Sequence, residues 1–447
     1  MPKHLRLNRK LLLLSLVICS LSLFSMSILP AQAQSDAASP PASEFDAHPA
    51  TDWINLLYQR VFAEKINPPA AARLYAYAGI TMYQAVLPGI PENRSLAGQL
   101  TDMPETPTIE DGAVYDWSAA ATGALSVVVP AILPENPDTT TAVDLLRQKQ
   151  INAYKRDLPE DVVDRSIAYG ESVAKVILDW ESKDGAKEAH AKAADYVIPE
   201  TVDGYVLTTE GTKPTEPYWG EVRPFGIPTS ASCDMEQDMP YSTDENSTFY
   251  AQALEVKNTV DHLTPAQEDI VNFWVDTPGI TGTPAGHWMM IGAQLVDQLD
   301  LKLDKTAEMF ALLGTAVGDA FISGWDTKYI VMLIRPVSYI QRYIDPKWQS
   351  YVQTPPFPEF ISGHSIVSES AARTLTYIFG TQKFTDDSER FRNLERRSFT
   401  SFEQAANEAG ISRLYGGIHY RTGIEKGLEQ GRCVADFIHD RIQLHEE

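Results

Sequence analysis

Positive charge is scarce in this chain: 37 lysines and arginines stand against 60 aspartates and glutamates over 447 residues, a formal net charge of -23. Four of those basic residues, Lys3, Arg6, Arg9 and Lys10, open the chain ahead of an apolar run from Leu11 to Leu29. The triplet Ala31-Gln32-Ala33 follows, the small-x-small pattern that signal peptidases cut after. Cleavage there removes four positive residues and no acidic ones, so the charge moves from -23 to -27. An acidic coat of that size argues against nucleic acid or an anionic membrane as partner. Any anion site must then be a local basic pocket working against the field of the whole protein. Cysteine is also scarce: Cys19 falls in the leader, leaving Cys233 and Cys433. For that pair a disulfide and two free buried thiols are both open.

Internal repeats and any β-rich region of consequence are missing too, and what remains reads as helix. The expected fold is all-α, helical bundles in two helical halves. The leader covers 1–33 and a polar Ala/Pro/Ser-rich lead-in 34–50. The N-terminal helical half covers 51–182, with Trp53, Leu56, Leu57 and Val61 at helical spacing. A loop-rich connection, rich in Pro, Gly, Thr and Tyr, covers 183–248. The C-terminal helical bundle covers 249–447, with helices expected over 265–275, 286–300, 305–342, 363–379, 388–409 and 420–442. Thr264-Pro265-Ala266-Gln267 supplies a cap, a first-turn proline and a capping-box partner for the first of these. Bundles build ligand sites between facing helices, so the chemistry is sought on inward faces near helix ends.

Three segments carry such chemistry. Lys328 and Arg335 are seven apart, which on a continuous helix puts both on one face, two turns apart, before Pro336. Alone they read as an exposed basic pair, but the residues between them are nearly all apolar, and buried cations need an anionic partner. Ser362-Gly363-His364 follows a proline-rich turn and opens a helix, offering free N–H groups and the positive end of the helix dipole to an anion. Alone it is a serine cap with an incidental histidine. Arg413 and His419 flank Gly416-Gly417; arginine presents a planar fork suited to phosphate-like oxyanions, and neutral imidazole can bond a metal or attack phosphorus. Jointly the three segments supply what a tightly held tetrahedral or trigonal-bipyramidal oxyanion requires.

The order Lys-x6-Arg-Pro, Ser-Gly-His, Ser-Arg-x5-His resembles the signature shared by vanadium-dependent haloperoxidases and type 2 phosphatidic-acid-phosphatase-like acid phosphatases. Trp325 and Phe357 resemble residues that border the vanadate and halide pocket of the haloperoxidase branch. The segment from Phe273 to Trp288 looks like the bacterial haloperoxidases. The resemblance implies a vanadate cofactor, V(V), in the C-terminal bundle. His419 bonds the metal, Lys328, Arg335, Ser362, the Gly363 N–H and Arg413 hold its oxygens, and His364 acts as acid/base. Trp325, Phe357 and Ser365 line the halide pocket, and Asp276 supports His364. Hydrogen peroxide and a halide are the implied substrates, the O–O bond being polarised by Lys328 and the metal acting as a Lewis acid. Iodide is favoured over bromide by the Ser-Gly-His-Ser form and the chain length.

Two departures from the family pattern stand out. Ile361 replaces the usual proline, and Gly423 sits four after His419 where the family often has an aspartate that orients the imidazole. Glu425 or a backbone carbonyl is the expected substitute. The rival reading is a secreted acid phosphatase with His419 as nucleophile and His364 protonating the leaving alcohol. A third, an exported anion-binding protein without turnover, leaves the paired histidines unexplained. The expected location is periplasmic or extracellular, with no membrane contact after cleavage; a homo-oligomer is compatible with all three readings.

Overall fold

Asparagine, aspartate, serine and threonine caps set the helix starts. Asn67 accepts from Ala70 N ahead of Pro68-Pro69, Asp116 from Ala119 N, and Ser401 from Gln404 N. Thr264 and Gln267 form the expected capping box. The computed structural model describes residues 39–445, so the expected leader and the first part of the lead-in, 34–38, lie outside the described residues. Within them the fold is all-α. The helices before the connection are α1 (His48–Ala63), α2 (Pro68–Val86), α3 (Trp117–Ile132), α4 (Pro137–Asp157) and α5 (Glu160–Glu181). The short α6 (Ala186–Lys192) opens the connection, which is otherwise irregular apart from 3-10 turns. After it come α7 (Thr248–Asp261), α8 (Pro265–Phe273), α9 (Thr283–Gln298), α10 (Leu303–Val331), α11 (Pro336–Tyr343), α12 (Gly363–Phe379), α13 (Phe402–Tyr415) and α14 (Arg421–Arg441). One antiparallel pair, β1 (Phe384–Asp386) and β2 (Arg397–Phe399), joins α12 to α13.

The core sits around α2 and α10, which pack along each other and bury nearly every residue of α2. Gly79 permits this crossing: a Cβ there would lie 2.1 Å from the Phe310 carbonyl oxygen of α10. On the far side α10 meets α12 and α14, and α12 packs on α13 and α14. The starts of α12 and α14 and the ends of α10 and α13 thereby converge. No helix among the described residues is long and apolar enough to cross a membrane.

Two expected helices are corrected. The span 305–342 is not continuous: α10 ends at Val331, Met332 takes a left-handed conformation (φ 52°), and α11 restarts at Pro336 with Arg335 as its extended cap. Proline lacks the N–H that a continuing helix needs and biases the residue before it towards extended backbone. The gap is held by the connection, since Tyr205 N donates to Met332 O and Ile334 N to Asp203 O. Lys328 and Arg335 therefore do not share a helix face; they approach the site from opposite sides of the break. The span 388–409 is a 3-10 turn (Ser388–Arg392), then β2, then α13 from Phe402.

Cys233 and Cys433 form a disulfide that ties the connection to α14. It closes a loop of 200 residues. A Cys433→Ser variant is expected to lose about 2–4 kcal/mol of stability, read as a lower urea midpoint, with reductant producing the same loss in the parent protein.

Candidate active site

The loop from Thr354 to Ile361, between α11 and α12, is wrapped around two buried cations. Lys328, in the last turn of α10, donates to the carbonyls of Pro358 (2.9 Å), Glu359 (3.1 Å) and Ile361. All three ammonium protons have carbonyl acceptors, so Lys328 acts on the site chiefly as a fixed charge. Burial, and then Arg335, press its pKa well down; Glu359 opposes them, as do the carbonyls, which bond the protonated form. Arg335 donates Nε to Phe357 O and Nη1 to Ile418 O, both at 2.8 Å. The Phe357 ring lies 5.0 Å from Lys328 Nζ and 4.8 Å from the Arg335 guanidinium carbon.

Ser362 caps α12, its hydroxyl accepting from Ser365 N at 3.3 Å. Gly363 and His364 begin the helix and, with Arg413 from the last turn of α13 and His419 from the α13–α14 turn, line a cavity of about 370 Å³. Trp325, Phe321, Phe357 and Val352 give the same cavity apolar walls, and Thr209, Thr212 and Thr215 from the connection contribute to its lining. Ser365 does not line it: its hydroxyl faces Gly410 of α13, where an added Cβ would lie 3.3 Å away.

His419 is held in one tautomer. Its Nδ1 lies 2.9 Å from Glu359 Oε1, which also accepts from Tyr420 N at 3.0 Å. A carboxylate can only accept, so Nδ1 carries the proton and Nε2 keeps its lone pair. Arg335 Nη1, a donor 3.2 Å from Nε2, requires the same assignment. Burial, then the neighbouring Arg335 and Lys328, keep His419 neutral by lowering its pKa well below the ordinary histidine value. Burial pushes Glu359 up to about 7, opposed by Arg335 and Lys328.

Glu359 fills the place left by the missing aspartate. Glu425, the expected substitute, is exposed. Gly423 makes room for Glu359: a Cβ at 423 would sit 2.4 Å from Glu359 Oε1. The sequence signal was there, an acidic residue inside an apolar proline-rich loop three positions before Ser362, but its partner is 60 residues away.

At this site three buried nitrogens have no partner among the described residues: Arg335 Nη2, Arg413 Nη2 and His364 Nε2. An orphaned guanidinium N–H in a buried site is costly unless an anion takes it. Burial lowers both arginines to about 10, opposed at Arg335 by Glu359 and at Arg413 by Asp276, so both remain charged at neutral pH. Burial, then Arg413, lower the His364 pKa well below the ordinary value. With the His419 Nε2 lone pair these groups fit a compact oxyanion whose central atom accepts a nitrogen ligand.

Asp276 Oδ2 lies 3.7 Å from His364 Nε2, beyond hydrogen-bond distance, while both of its oxygens lie 3.1 Å from His287 Nδ1. His287 Nε2 faces Asp386 Oδ2 at 2.8 Å. Burial works against charge in all three groups, but their mutual attraction prevails: Asp276 and Asp386 are held below 3.8 and His287 well above 6.5. The carboxylates contribute stability that is present above pH 3.8 and lost as pH falls through their depressed values. The histidine contributes stability that is present below pH 6.5 and lost only as pH climbs through its raised value. The acid-side fall of the thermal melt, below about pH 4, is therefore expected to be blunted in Asp386→Asn relative to the parent.

A family model of the VCPO second helical-bundle domain matches residues 308–447. The crystal structure described as the first bacterial vanadium-dependent iodoperoxidase superposes with a TM-score of 0.83 at 32% identity, covering 90% of this chain and 98% of that one. Holo and apo structures of a bacterial vanadium-dependent chloroperoxidase share the fold, at TM-scores of 0.64 and 0.65 and identities of 14% and 11%. They cover 84% of this chain and 93% and 96% of their own lengths. No curated protein matches the sequence. A full-length relative at this identity, over a cavity whose unpaired donors suit an oxyanion, establishes that the chain belongs to the bacterial vanadium-dependent haloperoxidases, peroxidase enzymes whose cofactor is vanadate.

Proposed function

We propose that this enzyme uses hydrogen peroxide to oxidise iodide in preference to bromide and chloride, with His419, Arg335, Arg413, Lys328, Ser362 and Gly363 holding its vanadate. The carrying observation is the set of unpaired groups, Arg335 Nη2, Arg413 Nη2 and His364 Nε2, beside a His419 whose Nδ1 proton is committed to Glu359. Bound vanadate supplies a V(V) Lewis acid that activates peroxide without changing oxidation state. His419 Nε2 would offer the bond to the metal, the free Nη2 groups of Arg335 and Arg413 would bind its oxygens, and the Lys328 charge would offset their negative charge. The free N–H of Gly363 at the start of α12 adds a dipolar donor. His364, neutral at its lowered pKa, would take up a proton at Nε2 from peroxide entering the cavity and give it back later as general acid/base.

The iodide preference is supported by the 32%-identical iodoperoxidase and by the apolar walls formed by Phe321, Trp325, Val352 and Phe357, which suit a large, weakly hydrated anion. Export is supported by the leader-like N-terminus and by the Cys233–Cys433 disulfide, which needs an oxidising compartment. One observation favours a second activity at the same site: Glu359 gives His419 the orienting carboxylate that a histidine nucleophile uses, so the vanadate-free protein should hydrolyse phosphomonoesters slowly.

The test is to strip the protein with chelator at low pH, restore orthovanadate, and compare kcat/KM for the three halides. Iodide is expected to lead, with bromide weaker and chloride unreactive. Bromide equal to or above iodide contradicts the preference. Phosphomonoester hydrolysis that vanadate inhibits supports the second activity, and its absence in stripped enzyme removes it.

A further inference from the structure

The His287 cluster lies outside the cavity lining yet touches it through Asp276. His287 is fully buried in α9, its ring stacked on Trp274 at 4.4 Å between centroids. Carboxylates face both ring nitrogens: Asp276 at Nδ1, Asp386 at Nε2, and Glu389 Oε1 4.0 Å from Nδ1. Since carboxylates only accept, both nitrogens donate and the ring is an imidazolium.

The charges balance without further ions. Arg392 donates to Glu389 Oε2 at 2.6 Å, and Arg413 faces Asp276 from α13. Tyr58, from α1, also faces Glu389 and Asp276, and burial raises its pKa, keeping it neutral. Three carboxylates are thus offset by His287, Arg392 and Arg413. This matters because Asp276, His287 and Glu389 also place one ligand atom each within 4.8 Å of one another, as a cation site does. A divalent ion would overcharge a cluster that is already neutral.

Asp276 is held from every side. Its backbone is left-handed (φ 40°), Thr281 Oγ1 donates to Oδ1 at 3.2 Å, and the imidazolium spans both oxygens. The same carboxylate presents Oδ2 to His364 Nε2 at 3.7 Å, an attraction that strengthens when Nε2 carries a proton. Asp386 is itself fixed by Ser388 N at 2.9 Å.

We propose that His287 and Asp386 are positioning residues for halide oxidation: by clamping the Asp276 carboxylate they set the orientation of the His364 imidazole at the cavity floor. The inference rests on His364 being the acid/base group. Neither residue touches substrate; both act through Asp276.

The two amide isosteres of His287 separate its two contacts. In His287→Asn the amide nitrogen falls near Nδ1 and keeps the bond to Asp276; in His287→Gln it falls near Nε2 and reaches Asp386 instead. With saturating vanadate, His287→Gln is expected to lower kcat for iodide oxidation by about 10–100-fold, as losing an outer-shell partner does, with peroxide KM and vanadate affinity within about threefold. His287→Asn keeps the bond to Asp276 but loses Asp386 and the imidazolium charge, so it is expected to lower kcat only several-fold, as Asp386→Asn does. Equal losses in both variants, or a loss that tracks vanadate affinity, overturns the proposal. So does one equivalent of a divalent metal in the purified enzyme that disappears in His287→Gln. If neither variant folds, Asp386→Asn decides: it is isosteric, keeps the acceptor for Ser388 N and removes the charge. A several-fold fall in its kcat at unchanged vanadate affinity supports the proposal, and an unchanged kcat overturns it. Full kcat in a His364→Ala control overturns the underlying assignment of His364 instead, and the proposal with it.

Discussion

A His419→Ala enzyme is expected to oxidise no halide at any vanadate concentration tested, while its thermal melt stays close to that of the parent. His419 Nε2 is the lone-pair nitrogen at the cavity floor that the assigned site offers to vanadium. Without it, Arg335 and Arg413 still attract an oxyanion, but nothing bonds its central atom. The loss should exceed the roughly 10–100-fold that removing an outer-shell partner costs. The fold should survive because His419 contacts only Glu359 and Arg335 through its ring nitrogens, and Glu359 Oε1 keeps its bond from Tyr420 N. Steady-state iodide oxidation against added orthovanadate, with a melt in parallel, measures both.

Glu359→Gln comes next in expected size. The amide oxygen can still accept from His419 Nδ1, but the charge that raises the basicity of Nε2 is gone, so vanadate affinity should fall by about 10–100-fold. The neighbouring Gly423 makes the assignment testable from the other side. Gly423→Asp alone should be damaging, since even its Cβ would stand 2.4 Å from Glu359 Oε1. In a Glu359→Ala background the same substitution supplies a carboxylate near His419 and relieves that collision. Its affinity for vanadate should then exceed that of Glu359→Ala alone, a coupling that a double-mutant cycle reads directly. Additive losses in the two changes sink the exchange of roles between positions 359 and 423.

The parts legible in the sequence were those whose cause is local. Ser362-Gly363-His364 opens α12 as expected because a serine cap and the turn before it act within one helical turn. The expected break-free helix through Lys328 and Arg335 failed because the apolar pattern runs on through Met332 and Leu333 while Pro336 and the bonds to Asp203 and Tyr205 stop the helix. The β1–β2 pair was hidden behind a charge-rich stretch whose helical spacing competes with turn residues such as Asn393 at φ 60°. Glu359 and the His287 cluster were invisible for a different reason. Their partners lie 60 and 99 residues away, and only packing brings them together. The Cys233–Cys433 bond is the same case at a separation of 200.

The most direct test of the assigned site is a titration of chelator-stripped enzyme with orthovanadate, followed by vanadium-51 NMR and by recovery of peroxide-dependent iodide oxidation. The account predicts saturation at one equivalent, with activity rising in step with the bound resonance and neither seen in His419→Ala. A bound resonance and full activity that persist in His419→Ala would place the vanadate elsewhere and contradict it.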